Sequence, residues 1–214
     1  MKKILEIAVH PWRIPVLLLM RIPYFNFLRF TTDYQCRISF SMWFRQKVLN
    51  IGGNKGAYWP VHSTSKVINP KNILAGIDTC PGIMGGCYIQ GIGKIYIGDY
   101  TQIAPNVVII SANHDLYDSR KHIADEVHIG KYGWLGAGAK IMPGVFLGDF
   151  TIVGAGAVVT KSFPQGHCVI AGNPARLIKE LDKGLCKPFK NMVGYNGYIR
   201  SEKFEAFRKK NLNI

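Results

Sequence analysis

Histidines are the residues in this sequence best suited to acid–base chemistry, because an imidazole gains and loses a proton near neutral pH. The chain contains six of them, and His114, His122 and His128 lie close together in sequence. His114 falls in a polar stretch, residues 111–122, that interrupts a regular pattern of aliphatic residues. A histidine that a rigid scaffold presents on a loop can act as a general base. Taken by itself, however, a loop histidine is more often a solvated surface residue.

Metal binding is a second kind of chemistry that histidines and cysteines support. His122 and His128 are six residues apart and have no convincing third ligand in the sequence. The five cysteines are odd in number and show no CxxC spacing, so no metal site is indicated. Since no secretory signal is recognised, the sequence predicts reduced thiols in a cytoplasmic protein. No metal requirement is predicted.

A six-residue repeat of aliphatic residues supplies the scaffold. The repeat runs without a miss through Ile129, Leu135, Ile141, Leu147, Val153 and Val159. A glycine directly follows four of these residues, and a mostly small residue comes four positions after, as at Ala139 and Ala157. The same spacing recurs upstream, at Ile97, Ile103 and Ile109.

A period of six fits neither an α-helix nor a simple strand alternation. It fits a chain that turns a corner every six residues, so that three repeats close a triangular turn of about 18 residues. The aliphatic side chain of each repeat then points inward and successive turns stack as short parallel strands. The sequence therefore predicts an all-β solenoid, a parallel β-helix of about five coils over roughly residues 61–168. The repeat does not determine the handedness of the coil.

Three regions follow from this pattern. Residues 61–175 form the hexapeptide-repeat domain, from which the polar stretch is expected to project as an extruded loop. Residues 1–60 are a basic, aromatic-rich arm that is predicted to be irregular or helical, because its prolines interrupt any long helix. Residues 176–214 are a basic tail, predicted to be helical from Arg176 onward.

The net charge of +14, from 27 basic and 13 acidic residues, is carried by the two ends of the chain. Residues 1–50 and residues 175–214 each carry a net charge of +6, whereas the solenoid between them is nearly neutral. These bases are not interleaved with a recognition motif, so nucleic-acid binding is not expected.

Residues 1–50 leave two alternatives open. Their longest uninterrupted apolar run, residues 14–20, is much shorter than the roughly 20 residues that a spanning helix needs, so no transmembrane segment is expected. Aromatic residues mixed with spaced arginines suit peripheral contact with an anionic membrane surface. The same aromatic residues would also suit a cap on the solenoid or a contact between subunits.

Several motifs in fixed order carry a family resemblance. They are the six-residue repeat, the loop triplet Asn113-His114-Asp115, residues 158–161 and residues 171–176. Together they resemble the hexapeptide-repeat acetyltransferases, above all the maltose/galactoside O-acetyltransferases and the sugar O-acetyltransferases of polysaccharide clusters. The resemblance covers about residues 70–180. It implies a left-handed parallel β-helix, a homotrimer with active sites between subunits, and acetyl-CoA as co-substrate.

The resemblance also implies roles for individual residues. His114 would be the catalytic base, and Asn113 and Tyr117 would contact the carbohydrate acceptor. The residues that would bind acetyl-CoA are Trp134, Gly136, Ala137, Ala155, Thr160, Lys161 and Arg176.

Two kinds of contact with acetyl-CoA are expected within that set. The amides of Gly136 and Ala137 are candidate donors to the thioester or its oxyanion. Lys161 and Arg176 are candidate partners of the phosphates, since the ligand is polyanionic.

The sequence also departs from the family pattern. Maltose/galactoside-type enzymes carry an asparagine and an acidic residue for the acceptor sugar, where this chain has glycines at residues 85–86 and within residues 91–93. A free disaccharide acceptor is therefore not expected.

The predicted function is acetyl transfer from acetyl-CoA to a sugar hydroxyl of a surface polysaccharide or its precursor. The protein would act in the cytoplasm, with peripheral contact to the inner face of the plasma membrane. Two alternatives use the same scaffold. One is a metal-dependent hydratase resembling γ-class carbonic anhydrase, and the other is a non-catalytic module that binds a membrane surface.

Overall fold

The computed structural model describes Leu18 and residues 21–214, so the first part of the predicted membrane-contact segment (residues 1–17, 19 and 20) lies outside the described residues. The described arm contains only short helices. They are a 3₁₀ turn (Pro23–Phe25), α1 (Phe27–Phe30), α2 (Phe40–Trp43) and a π-helical turn (Phe44–Val48). None of the helices in this part of the chain combines the length and apolar character needed to span a bilayer.

Most aromatic residues of the described arm pack together, although Tyr24 and Phe44 are exposed. Phe27, Leu28, Tyr34 and Ile38 are buried in one cluster with Tyr195 from the C-terminal tail. Such aromatic contacts stabilise the cluster beyond their buried area. The packing of residues 21–60 therefore favours a cap on the solenoid over a membrane-contact surface.

The rest of the chain is built from short strands joined by tight turns. In chain order they are β1 (Lys66–Ile68), β2 (Ile73–Ala75), β3 (Tyr88–Gln90), β4 (Ile95–Ile97), β5 (Gln102–Ile103), β6 (Val108–Ile110), β7 (Ala112–His114), β8 (His122–Ala124), β9 (Val127–Ile129), β10 (Trp134–Leu135), β11 (Lys140–Ile141), β12 (Phe146–Leu147), β13 (Thr151–Val153), β14 (Val158–Val159), β15 (Cys168–Gly172), β16 (Ala175–Glu180), β17 (Tyr195–Asn196) and β18 (Ile199–Arg200).

Three sheets form the faces of a triangular solenoid. The first sheet has the order β1-β3-β6-β11-β14, the second β2-β4-β9-β12, and the third β5-β10-β13-β15 with β16 at its outer edge. All neighbours in these sheets are parallel except β15 and β16. The first sheet contributes one strand to each of five coils. The predicted parallel β-helix of about five coils is confirmed.

The six-residue repeat forms the core of the solenoid. The six aliphatic residues that recur every six positions from Ile129 to Val159 are each 4% exposed or less. Strand register places Leu135 beside Val153 and Ile141 beside Val159, so these coils have the predicted length of 18 residues. The earlier coils are longer, and this explains why the upstream repeats fall out of phase with the later ones.

The C-terminal region differs from the prediction. Residues from Arg176 onward do not form a helix, because β16 pairs antiparallel with β15 and extends the third sheet. The open edge of β15 offers unpaired N–H and C=O groups, which a returning strand satisfies better than a helix would. A helix does occur later, α3 (Ser201–Asn211), whose Phe204 and Phe207 pack on Tyr58 at the opposite end of the solenoid.

Asp78 joins the arm and the tail to the first coils. Its carboxylate accepts hydrogen bonds from the backbone N–H groups of Cys36 (2.9 Å) and Gln35 (3.2 Å) and from Asn191 Nδ2 (3.1 Å). Asp78 also adopts a positive φ of 51°. Asparagine tolerates this conformation, whereas alanine is strained in it.

We expect Asp78→Ala to lower the free energy of unfolding by about 2–4 kcal/mol, because three donors lose their acceptor and the backbone is strained. Asp78→Asn should cost less.

Burial raises the pKa of the Asp78 carboxyl above its ordinary value of 3.8. The folded state therefore binds this proton more tightly than the unfolded state does. The wild type should lose stability relative to Asp78→Asn as the pH rises from about 3 through the raised pKa.

Urea unfolding across this pH range measures both effects. A stability difference between wild type and Asp78→Asn that does not change with pH would contradict the electrostatic part of this prediction.

Candidate active site

The predicted extruded loop is an antiparallel hairpin. It leaves the solenoid after β6 and returns before β9, and β7 pairs with β8 so that His114 lies opposite His122. The turn is closed by Asp115, whose Oδ1 accepts hydrogen bonds from the N–H groups of Tyr117 (2.8 Å) and Asp118 (2.9 Å). These two bonds lower the pKa of the Asp115 carboxyl. The hairpin projects from the corner between the first and second sheets, which we call the hairpin edge (residues 111–126, 142–145 and 160–163).

The ring of His114 is held by a backbone carbonyl. His114 Nδ1 lies 2.5 Å from the carbonyl oxygen of Ser119. A carbonyl oxygen can only accept, so Nδ1 carries the hydrogen and Nε2 keeps its lone pair. Asp118, in the same hairpin, is the alternative partner for this ring. Asp118 is engaged by Arg120 and Lys121, so the carbonyl has this role.

Three neighbouring residues of the hairpin have distinct positions. The His122 ring lies beside that of His114, with 4.4 Å between the centroids. Asn113 precedes His114 in the same strand, and successive side chains of a strand point to opposite faces. Tyr117 lies at the tip and is 98% exposed. An acceptor contact by Tyr117 or Asn113 stays a prediction, and Asn113 would have to make it from the opposite face of the hairpin.

The predicted amide donors lie on a different corner, between the third and first sheets, which we call the amide edge (residues 104–107, 136–139 and 154–157). The N–H of Gly136 donates to the carbonyl of Val153 (2.8 Å), so it is occupied by the stacking of the coils. Among the described residues, no acceptor is paired with the N–H of Ala137 or Ala155, and both residues are exposed. Gly136 is therefore not a free donor, and a contact of this edge with the thioester stays a prediction for the open N–H groups of Ala137 and, one coil above it, Ala155.

Gly136 has a structural reason to be glycine. A Cβ at this position would lie 2.6 Å from the backbone nitrogen of Ala155 and 2.8 Å from the carbonyl oxygen of Val153. Those contacts are with the next coil, not with solvent. The small residue thus permits close stacking of the coils and does not open space for a ligand.

Trp134 and Arg176 lie near the amide edge. Trp134 is 52% exposed on the outer face of the third sheet, between Gln102 and Ile152 of the neighbouring strands. Arg176 is exposed in β16, opposite Ala171 at the last coil. Its guanidinium contacts only a backbone carbonyl within the described residues, that of the preceding residue (3.1 Å). It is therefore available to an anionic ligand.

Thr160 and Lys161 lie on the hairpin edge, not with the other predicted acetyl-CoA residues. They follow β14 at the last coil, both are exposed, and Lys161 forms no ion pair with the described residues. Thr160 is five residues beyond Ala155, at the other end of β14, so the two residues are at most about 16 Å apart. The predicted site residues therefore form two groups on two edges of one chain.

No observation favours the hydratase alternative. His128 points along the outer face of the second sheet, where it stacks on Tyr96 and Phe146 and its Nε2 lies 3.0 Å from a carboxylate oxygen of Glu126. His122 instead contacts His114 on the hairpin. The described part of the chain contains no cluster of three or more His, Cys, Asp or Glu residues that could hold a metal ion.

The triangular solenoid and its six-residue repeat define a parallel β-helix protein, and its likeness to solved acetyltransferase structures shows that the helix is of the left-handed class. Comparison with known proteins confirms the resemblance to sugar acetyltransferases. The structure of a maltose O-acetyltransferase from Clostridium difficile 630 is 27% identical, with a TM-score of 0.52 over 78% of this chain and 89% of that one. A galactoside acetyltransferase in complex with coenzyme A is 29% identical, with a TM-score of 0.49 over 59% of this chain and 69% of its own.

A curated relative matches a shorter part of the chain. Nodulation protein L of Rhizobium meliloti (strain 1021) is 45% identical over 63 residues, or 28% of this chain. That match spans about a third (34%) of the relative's own length. No family model matches the chain.

Proposed function

We propose that the protein is an O-acetyltransferase that moves an acetyl group from acetyl-CoA to a sugar hydroxyl, with His114 as the general base. The observation that carries this proposal is the hairpin that projects His114 from the solenoid. The Ser119 carbonyl fixes Nδ1, and Nε2 stays open to a substrate. The likeness of the chain to a maltose O-acetyltransferase over most of its length supports the reaction class.

In the proposed reaction, His114 Nε2 accepts the proton of the sugar hydroxyl while the hydroxyl oxygen attacks the acetyl carbonyl carbon. The carbon–sulfur bond of the thioester then breaks, and the proton passes from the imidazolium to the departing sulfur. The products are a sugar acetyl ester and a free thiol. Negative charge develops on the carbonyl oxygen, and the open N–H of Ala137 is suited to stabilise it.

The two edges suggest that two copies of the chain build each site. His114 is exposed, and Leu116 and Tyr117 at the hairpin tip are 93% and 98% exposed, so the hairpin does not fold back onto its own amide edge. In a cyclic oligomer with its axis along the solenoid, the hairpin edge of one copy meets another edge of the next copy at the same height. We propose a homotrimer in which His114 of one copy faces Ala137 and Trp134 of its neighbour.

The distribution of bases suggests how acetyl-CoA lies in this site. Arg176 and Lys161 are both at the last coil, where they suit the phosphates. Ala137 lies two coils below Arg176, and Pro105 lies one coil below Ala137. At the spacing of stacked strands, the level of Pro105 is about 14 Å below that of Arg176. The hairpin leaves the solenoid at the level of Pro105. The thioester therefore points down the edge toward His114.

The proposed acceptor site differs from that of maltose/galactoside-type enzymes. Of the glycines that stand in place of their acceptor-binding residues, Gly85 and Gly86 lie against side chains of neighbouring coils, whereas Gly93 is packed against backbone. A Cβ at Gly93 would lie 2.1 Å from the carbonyl oxygen of Asp125. A surface polysaccharide or its precursor at the cytoplasmic face of the membrane stays a prediction, supported by the basic ends of the chain.

Thiol release from acetyl-CoA in the presence of a glycan panel tests the proposal. We expect release that depends on both the glycan and the protein, and mass spectrometry should find one acetyl ester per acetylated sugar. The combination of no acetylated glycan, stoichiometric zinc and hydration of carbon dioxide would contradict the proposal and favour the hydratase alternative.

A further inference from the structure

A pocket of about 240 Å³ opens beside the amide edge, between the arm and the outer face of the third sheet. Ile83, Met84, Ala104, Pro105 and Trp134 form its apolar walls. Trp134 is 52% and Met84 45% exposed, although both are large apolar side chains. Grouped exposure of this kind marks a binding surface more often than scattered apolar residues do.

The polar groups of the pocket are few and partly occupied. No charged side chain of the described residues lines it. Thr101 is buried, and its hydroxyl already donates to the carbonyl of Gly130 (2.7 Å). Gln35 and Gln102 are the amide side chains at its rim. A bare sugar buried here would leave most of its hydroxyls without partners, which is costly, whereas a hydrocarbon group would not.

The position of the pocket relates it to the acceptor and not to acetyl-CoA. The carbonyl of Pro105 accepts a hydrogen bond from the N–H of Gly138 (3.0 Å), so Pro105 lies one coil below Ala137 on the amide edge. Proline has no N–H, so the series of open amides ends above this level. The pocket therefore lies beyond the proposed thioester end, at the level where the hairpin leaves the solenoid.

We propose that this pocket holds a hydrocarbon chain attached to the acceptor sugar, so that the enzyme acetylates an amphiphilic glycan in preference to a free sugar. The inference rests on the proposed function and specifies its substrate class. The chain would lie against Met84 and Trp134, while the sugar hydroxyl would remain beside the amide edge, within reach of His114 of the neighbouring copy.

Binding and transfer of two glucosides that differ only in their apolar group test this inference. Octyl β-glucoside, below its micellar concentration, and methyl β-glucoside are titrated into full-length protein saturated with CoA, which carries no acetyl group. Initial rates are then measured with acetyl-CoA. We expect the octyl glycoside to bind about tenfold more tightly or better, and to show a similar gain in kcat/KM.

Met84→Glu places a charge in the pocket and should remove the octyl preference without changing the affinity for CoA. Met192→Glu is the matched control, because Met192 is a fully exposed methionine outside the pocket, and it should keep the preference. Equal binding of the two glycosides, or a preference that survives in Met84→Glu, would overturn the inference. Transfer to both glycosides at equal rates would also overturn it but leave the proposed function standing. A third outcome is that the octyl glycoside binds more tightly, that Met84→Glu removes this preference, and that no acceptor is acetylated. This outcome would support the pocket and overturn the proposed function.

Discussion

Replacing His114 by asparagine is expected to lower kcat for acetyl transfer by about 10²–10⁴-fold and to leave KM for acetyl-CoA within about twofold. Asparagine can still donate to the Ser119 carbonyl, so the hairpin keeps its shape. It has no group that can accept the proton of the sugar hydroxyl, so the attacking oxygen is no longer activated. Steady-state kinetics with an acceptor from the glycan panel measure the effect.

His62→Asn is the matched control. His62 is an exposed histidine of the first coil, and its Nδ1 is likewise engaged locally, 2.8 Å from Thr64 Oγ1. It lies two coils below Pro105 and is not among the residues of either edge, so its replacement should leave kcat unchanged. Full transfer activity in His114→Asn would exclude this residue as the base.

Gly130→Ala is expected to destabilise the fold by about 3 kcal/mol or more, because it forces a methyl group into the backbone of the next coil. A Cβ at Gly130 would lie 2.4 Å from the carbonyl carbon of Gly148 and 2.5 Å from the nitrogen of Asp149. Backbone atoms that belong to a stacked strand cannot move aside as a flexible side chain does. For a chain of this size, the expected loss corresponds to a fall in Tm of about 6–12 °C.

Gly184→Ala provides the control for that measurement. Gly184 lies in the tail, its φ is not positive, and the nearest atom to an added Cβ is the end of the Asp182 side chain at 3.2 Å. Thermal unfolding followed by circular dichroism should show a change in Tm of less than about 2 °C. Equal stability of Gly130→Ala and Gly184→Ala would mean that the coils stack less tightly than described.

The repeat made the solenoid predictable because an inward-facing aliphatic side chain recurs on every face of the coil. Ile141 and Val159 are buried where the period places them, and the break in the repeat marked the hairpin. The small residues were harder to interpret from sequence. A glycine such as Gly136 can serve close stacking or a close ligand, and only the three-dimensional contacts distinguish the two.

Other features could not be predicted because they depend on contacts between distant segments. The group that orients His114 is the backbone carbonyl of Ser119, and the identity of the Ser119 side chain does not reveal this role. The strand β16 has the composition of a helix, but the open edge of β15 decides its conformation. The pairing of His122 with His114 follows from the hairpin register, which the tight turn at Asp115 determines. The pocket beside Trp134 combines residues from the arm and from three successive coils.

Mixing two inactive variants tests the central claim most directly, namely that each active site takes His114 from one chain and the amide edge from another. One variant is His114→Asn, and the other is the double variant Trp134→Ala/Arg176→Ala; each is measured alone and after co-expression in equal amounts. When the two chains assort at random, we expect the whole co-expressed population to recover about a quarter of the wild-type activity, since one interface in four joins an intact hairpin to an intact amide edge. Mixed oligomers that form but stay as inactive as either variant alone would contradict it, because a site contained within one chain cannot be restored by a neighbour.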